Sequence, residues 1–420
     1  MKQRPQPDLS VQKPEFPEVI HKNHGIEILH LPMERHGLLS VRLLLGGGAD
    51  SDHLAGCCAF TDELLALQLS RRWRELPFGG ELNVHTGWGS STLALDGLAN
   101  EAENMTAIIE AFISTSGIDS VSVERHKHSS TQELLQASES RTVLSNWLAT
   151  QVRHQGTQRE FGVDGNLYQL SRLDTAAVSG SIHRRLNRPR ALLIVVGDCQ
   201  AEVLAQPFSR RQVSHWQPDQ HSLQERQGSF GYLTDGPQSE LRISIPLVQN
   251  STALELANIA LGGHFNSRLN QRLRSQNGIT YGCGSSILQS GCSPFLNIST
   301  SVQGDATEKA LEDVLSCVRE WGNCWSTEEL NICKRLYTTA MLQTLESPAQ
   351  VANWFEDWIR NHNSAAAFSQ LPTSIESTQL SDILGALRSL TTQDYLVTMV
   401  TEELPANVVP TQLLKLSPKE

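Results

Sequence analysis

The run Gly56-Cys57-Cys58-Ala59-Phe60-Thr61-Asp62-Glu63-Leu64-Leu65 places two carboxylates and two thiols inside an otherwise apolar stretch. Adjacent acids in a buried helix are either a candidate acid–base pair or what remains of a metal site. Cys57 and Cys58 are neighbours in a predicted helix, which is poor geometry for a disulfide between them. None of the eight cysteines lies in a C-x-x-C pair, so reduced structural thiols are expected. Gly46-Gly47-Gly48, just upstream, lacks the Lys-Ser/Thr that a phosphate loop would add, and there is no nucleophile elbow. His126 and His128 lie near Glu133 but point to different helix faces, and they read as surface histidines.

The elements that must hold these residues follow from periodicity. Residues 25–31 alternate and read as a strand. Residues 39–45 form a second, with Ser40 and Arg42 on the face opposite Leu39, Val41 and Leu43. The acid-bearing helix then runs to about residue 70. Residues 79–88 give a turn and a strand, and 91–95 another. Apolar positions from Leu98 to Ile113 fall at helical spacing, and a long helical region is predicted over 121–151 with Ser120 as N-cap. Residues 190–198 read as a buried strand. After a polar stretch the pattern restarts. Strands are predicted at 240–247, 279–288, 295–302 and 395–400, and helices at 253–261, 268–276 and 305–321. Ser326-Thr327-Glu328-Glu329 is a capping box opening another helix.

These patterns predict an α+β fold of two similar domains. Each is an antiparallel-rich mixed sheet with helices packed on one face, and the two are related by internal duplication. The expected boundaries are an extended arm over 1–20, a first domain over 21–205, a linker over 206–235 and a second domain over 236–420. A net charge of −11 argues against a nucleic-acid or anionic-membrane surface. The basic pairs Arg71-Arg72, Arg184-Arg185 and Arg210-Arg211 read as solvated surface. No run is long and apolar enough to span a bilayer, and residues 1–7 lack a secretory core, so a cytoplasmic location is expected, or a periplasmic one if a leader has been removed.

Taken together, the strand-Gly-helix start over 39–65, Gly79-Gly80-Glu81-Leu82-Asn83-Val84-His85-Thr86, the helix with Glu133, Val195-Val196-Gly197-Asp198, and Ser267-Arg268-Leu269-Asn270-Gln271-Arg272-Leu273-Arg274 followed by Gly278-Ile279-Thr280-Tyr281 resemble the pitrilysin/insulinase family of inverted zincins. The resemblance is to its short two-domain members, among them mitochondrial processing peptidase subunits, core subunits of the bc1 complex and paired bacterial peptidases. Active members carry H-x-x-E-H on the first helix, where two histidines bind zinc and the glutamate activates water. Here those positions read Ala59-Phe60-Thr61-Asp62-Glu63. Both histidines are absent, Asp62 stands where the base would be, and Glu133 matches the remaining ligand. His126 falls where active members often carry another acid. This donor set suits zinc poorly, leaving an acidic patch in an open cavity as the expectation.

The resemblance also implies that Arg274 and Tyr281 contact substrate backbone and oxyanion, and that Gly80, Glu81, Leu82, Asn83 and Val84 form an edge strand that binds peptide. The implied function is a non-catalytic subunit of a heterodimeric zinc metallopeptidase, acting in trans on peptides in an enclosed chamber. Zinc is expected in the homologous partner subunit and not in this chain. The alternatives are a purely structural or peptide-binding scaffold like the bc1 core subunits, and a self-sufficient enzyme with unusual metal chemistry.

Overall fold

The computed structural model describes residues 20–23, 25–33, 37–72, 78–187, 189–217, 221, 226–290, 293–362, 368–388, 390 and 395–416. Apart from Ile20, the expected N-terminal arm lies outside them.

The first sheet contains β1 (Ile20–Asn23), β2 (Ile26–Leu31), β3 (Leu38–Gly46), β4 (Glu81–Thr86), β5 (Ser90–Leu98), β6 (Arg190–Gly197) and β7 (Ser214–His215). Its order is β1-β2-β6-β3-β5-β4, with β7 paired to β6. The second sheet contains β8 (Gly228–Leu233), β9 (Gln238–Pro246), β10 (Thr280–Ser290), β11 (Ser293–Gln303), β12 (Leu396–Thr401) and β13 (Val409–Pro410), in the order β10-β11-β9-β12-β8-β13. The path β2-β6-β3-β5-β4 maps onto β8-β12-β9-β11-β10. In each half the first pair is parallel and the other three are antiparallel. The duplication that residue identity hides is plain in this pairing.

The helices are α1 (Cys57–Arg71), α2 (Ala102–Ile113), α3 (Ser120–Ala137), α4 (Arg141–Arg153), α5 (Leu167–Arg172), α6 (Thr175–Leu186), α7 (Thr252–Asn258), α8 (Arg268–Asn270), α9 (Thr307–Arg319), α10 (Thr327–Thr344) and α11 (Pro348–His362), followed by shorter helices at Leu371–Ser377 and Leu380–Arg388. Residues of α1, α2 and α6 share a core with one face of the first sheet. The other face belongs to the second half. Val351, Ala352, Phe355 and Ile359 of α11 pack on Leu29, Leu44, Leu192, Ile194 and Val196. The exchange is reciprocal, since Leu144, Leu148 and Val152 of α4 pack on Leu396 and Val400 of β12. Among the described residues each sheet thus carries its own helices on one face and a helix from the other half on the second, with Phe368 joining α11 on the first sheet.

This arrangement accounts for the continuous apolar run of β3, which is buried from Leu39 to Gly46. Ser40 and Arg42 do face away from Leu39, Val41 and Leu43, but that face is covered by α11 and is not exposed. Arg42 is 1% exposed, bonded to Asp96 at 2.9 and 3.1 Å and to Asn353 Oδ1 of α11 at 2.9 Å. Removing a ring as buried as Phe355 typically costs about 3–5 kcal/mol.

Several sequence expectations change. The helical region predicted over 121–151 is two helices, broken at residues 138–140, where Ser140 caps α4 by accepting from the Val143 N–H. The cap of α3 is Asp119, not Ser120; Asp119 Oδ1 accepts from the Ser122 N–H at 2.8 Å. Leu98 ends β5 and does not begin a helix. Part of the 206–235 connection is structured. The 3-10 helix Ala201–Phe208 buries Ala201, Leu204, Ala205 and Phe208 in the first core, and β8 is a strand of the second sheet. Residues 218–220 and 222–225 lie outside the described residues. The helix expected to end at residue 261 instead widens after α7 into a π turn, Ile259–Gly263. A Cβ at Gly262 would come within 2.7 Å of the Ser285 backbone nitrogen, so only glycine lets this turn lie against β10.

Candidate functional site

α1 begins at Gly56, whose φ of +86° and close approach to the Asp164 carbonyl exclude a side chain. The helix then buries Cys57, Cys58, Ala59, Phe60, Thr61 and Asp62 in succession, while Glu63 stays exposed. The two adjacent acids therefore separate, one into the core and one toward solvent.

Asp62 is 1% exposed and points into the protein. Arg185 Nη1 donates to its Oδ1 at 2.5 Å, and Thr86 Oγ1 donates to its Oδ2 at 2.6 Å. Burial works against the Arg185 charge, but the Asp62 carboxylate outweighs it and holds the guanidinium above its usual range. Burial pushes the Cys57 thiol up to about 12 and the Cys58 thiol up as well, so both are protonated structural groups, not nucleophiles or ligands. The expected acidic patch is divided, since Asp62 is buried and hydrogen-bonded while Glu63 is exposed, and of the pair Arg184-Arg185, expected to be solvated surface, Arg185 is buried and Arg184 exposed. Arg185 is fully buried against Asp62, and Arg184 pairs with Asp52. A signal for this was present in α6, where Val178, Ile182 and Arg185 fall on one buried stripe.

Ala59, Glu63 and Glu133 do converge. They line a cavity of about 360 Å³ together with Phe60, Trp147 and Asp164. Glu133 of α3 accepts from Ser129 Oγ at 3.0 Å. His126, expected at the surface, is buried; its ring lies 4.6 Å from that of Phe60 and its Nε2 lies 3.1 Å from Glu63 Oε2. Trp147, Asp164 and Lys415 were not anticipated. Lys415 Nζ lies 3.3 Å from Asp164 Oδ2 and 5.5 Å from the Trp147 ring, two residues that line the cavity.

These residues do not fit a zinc ion. Ala59 has no donor atom, Asp62 is turned to Arg185, and among the described residues no group of three or more His, Cys, Asp or Glu is arranged to hold a metal.

Among the described residues β4 is the last strand of its sheet and pairs only with β5. Glu81, Asn83 and His85 are exposed, alternating with half-buried Leu82, Val84 and Thr86. Gly80 precedes it where a Cβ would lie 2.1 Å from the Asp96 carbonyl oxygen, so this glycine lets the chain enter beside β5. In the second half, Arg274 sits on the π turn Gln271–Gln276 with its guanidinium 4.3 Å from the centre of the Phe265 ring. Tyr281, at the start of β10, is 93% exposed and Phe265 is 67% exposed. An exposed aromatic ring under a cation, as Phe265 lies under Arg274, is a surface suited to contact.

Residues 176–337 match the family model described as "Peptidase M16 inactive domain". That match covers well under half of the chain. No curated protein sequence matches it. Solved structures share its fold. A peptidase M16 inactive domain from Pseudomonas fluorescens is 16% identical with a TM-score of 0.79, over 91% of this chain and 97% of that one. A protease from Helicobacter pylori is 13% identical with a TM-score of 0.77, over 93% and 100%. A chain of complex III2 from Candida albicans, with Inz-5 bound, is 13% identical with a TM-score of 0.76, over 92% and 96%. The chain thus shares the two-domain architecture of these structures, and its α1 reads Ala59-Phe60-Thr61-Asp62-Glu63 in place of H-x-x-E-H. No helix among the described residues is long and apolar enough to cross a membrane.

Proposed function

We propose that this chain is the non-catalytic subunit of a paired zinc peptidase. It shapes a peptide-holding chamber and supplies Arg274 and Tyr281 in trans to a homologous subunit that carries H-x-x-E-H. The observation that carries this reading is the split character of the chain. The cavity at Ala59, Glu63 and Glu133 offers no set of zinc ligands, whereas Arg274 and Tyr281 stand at the surface, with Tyr281 almost wholly exposed. The open edge of β4 is the proposed peptide-binding strand, where an extended chain adds to the sheet through backbone hydrogen bonds. Zinc belongs to the partner. The seven described cysteines are all free, which favours a reducing compartment such as the cytoplasm.

A second reading, a scaffold with no part in the chemistry, is favoured by the stacking of Arg274 on Phe265, which gives that guanidinium a partner within its own chain. One experiment separates the two. The chain is co-purified with an H-x-x-E-H family member, and peptide cleavage is measured for wild type, Arg274→Ala and Tyr281→Phe. Loss of a charged transition-state donor lowers kcat about 100-fold or more while assembly by gel filtration is unchanged. Unchanged cleavage by both variants would leave the scaffold reading standing.

A further inference from the structure

The second half holds a cleft that the peptidase reading does not use. It lies where α7, α10 and β10 meet the exchanged helix α11. Two cavities, of about 340 and 680 Å³, share Tyr337, Trp354 and Asp357 in their linings. The smaller is lined in addition by Glu255 and Trp358. Trp354 and Trp358 are four residues apart on α11 and so lie on one helix face, with Asp357 between them.

The charge of this cleft is one-sided. Among the described residues neither cavity has a lysine or arginine in its lining, and the larger has one histidine, His264. Asp357 takes part in no hydrogen bond or ion pair among the described residues, and Glu255 accepts only from Asn250 Nδ2, at 2.8 Å. Arg360, the nearest cation along α11, is bonded to Glu356 and Thr92. Burial pushes the Glu255 carboxyl up; that of Asp357, an exposed residue, is raised by partial desolvation and by the charge of Glu356, while Arg360 and His85 oppose it. Burial, with the charge of Glu255, also pushes the Tyr337 phenol up. Aromatic faces attract cations through the ring quadrupole, and carboxylates beside them supply the countercharge.

We propose that this cleft binds an organic cation, an ammonium group held against Trp354, Trp358 and Tyr337 and neutralised by Asp357 and Glu255. The ammonium can come from a free amine or from a lysine side chain of a bound polypeptide. A neutral group of the same shape would gain the apolar contact but leave the carboxylates unanswered, so the site discriminates by charge. The proposal does not depend on a zinc-bearing partner.

The full chain is labelled with 5-fluorotryptophan and followed by 19F NMR, with W354F and W358F assigning the two resonances. It is titrated with tetramethylammonium, with neopentyl alcohol as the neutral isostere, and with Nα-acetyl-lysine amide against Nα-acetyl-norleucine amide. Both assigned resonances should shift saturably with the cations and not with the neutral partners. Tighter binding of the lysine amide than of tetramethylammonium indicates a polypeptide side chain, and the reverse order a small amine. D357N should weaken cation binding about tenfold, the equivalent of about 1.4 kcal/mol. E255Q tests the same point from another helix if D357N does not fold. Equal shifts from the neutral isosteres, or no shift with any cation, would overturn the proposal; both are read on the unsubstituted chain.

Discussion

Replacing Asp62 by Asn leaves a buried guanidinium without its counter-ion. Arg185 and Asp62 are each 1% exposed at the side chain. Arg185 Nη1 has a further contact only with Ser91 Oγ at 3.2 Å, and its Nε and Nη2 have no hydrogen-bond partner among the described residues. Its charge is therefore balanced almost entirely by Asp62. Breaking such a pair from one side costs about 3–5 kcal/mol, because the surviving charge stays desolvated. An unfolding entropy of about 2.1 cal/mol/K per residue converts that cost to a drop in Tm of roughly 3–6 °C if the chain unfolds as one unit. Asp62→Leu combined with Arg185→Met removes both charges and should recover most of the loss, since a well-packed apolar pair is often neutral relative to a buried ion pair. Calorimetry on wild type and the two variants at one protein concentration reads both effects. If Asp62→Asn melts within about 1 °C of wild type, the carboxylate is not committed to Arg185, and its reading as a group available to the cavity returns.

Two further predictions concern the same region. Ala59→His with Glu63→His puts two imidazoles beside Glu133 and should create zinc binding detectable by metal analysis, yet no peptidase activity, because Asp62 stays turned to Arg185. Hydrolysis by the zinc-loaded double variant alone would show that Asp62 can leave the core. Acid should loosen the contact between α11 and the first sheet. Burial pushes the Glu356 carboxyl up, but the hydrogen bond from His85 and the charge of Arg360 override this and leave it at about 2. Since an unfolded glutamate titrates near ~4.3, the unfolded chain binds more protons between those values. The stabilisation is full above about pH 5 and is lost as pH falls toward 2. Glu356→Gln should flatten that part of the stability curve, and an unchanged acid limb in hydrogen exchange would count against the contact.

How far the sequence carries depends on whether a contact is local. β3 and β6 were readable because strands buried on both faces give unbroken apolar runs, but nothing in β3 says that α11, some three hundred residues later, is what buries Arg42. The turn at residues 138–140 was missed because Ser138, Glu139 and Ser140 do not interrupt helical spacing strongly, and only the cap by Ser140 marks it. In the candidate site, Ala59, Glu63 and Glu133 could be placed around one cavity because family spacing fixes which helix faces meet. The fate of Asp62 could not, since it rests on a partner in α6 whose sequence neighbour, Arg184, made the pair look like solvated surface.

The reciprocal seating of α4 and α11 has a consequence for synthesis on the ribosome. The face of the first sheet that receives α11 is formed of Leu29, Leu44, Leu192, Ile194 and Val196, all in place once β6 has emerged. Its covering helix is translated only with residues 348–362. At 5–20 residues per second the intervening chain takes roughly 10–30 s to appear. Through that interval the nascent first half presents an uncovered apolar sheet, so it is a natural client for a holding chaperone, and a transcript truncated before α11 yields a product prone to aggregate.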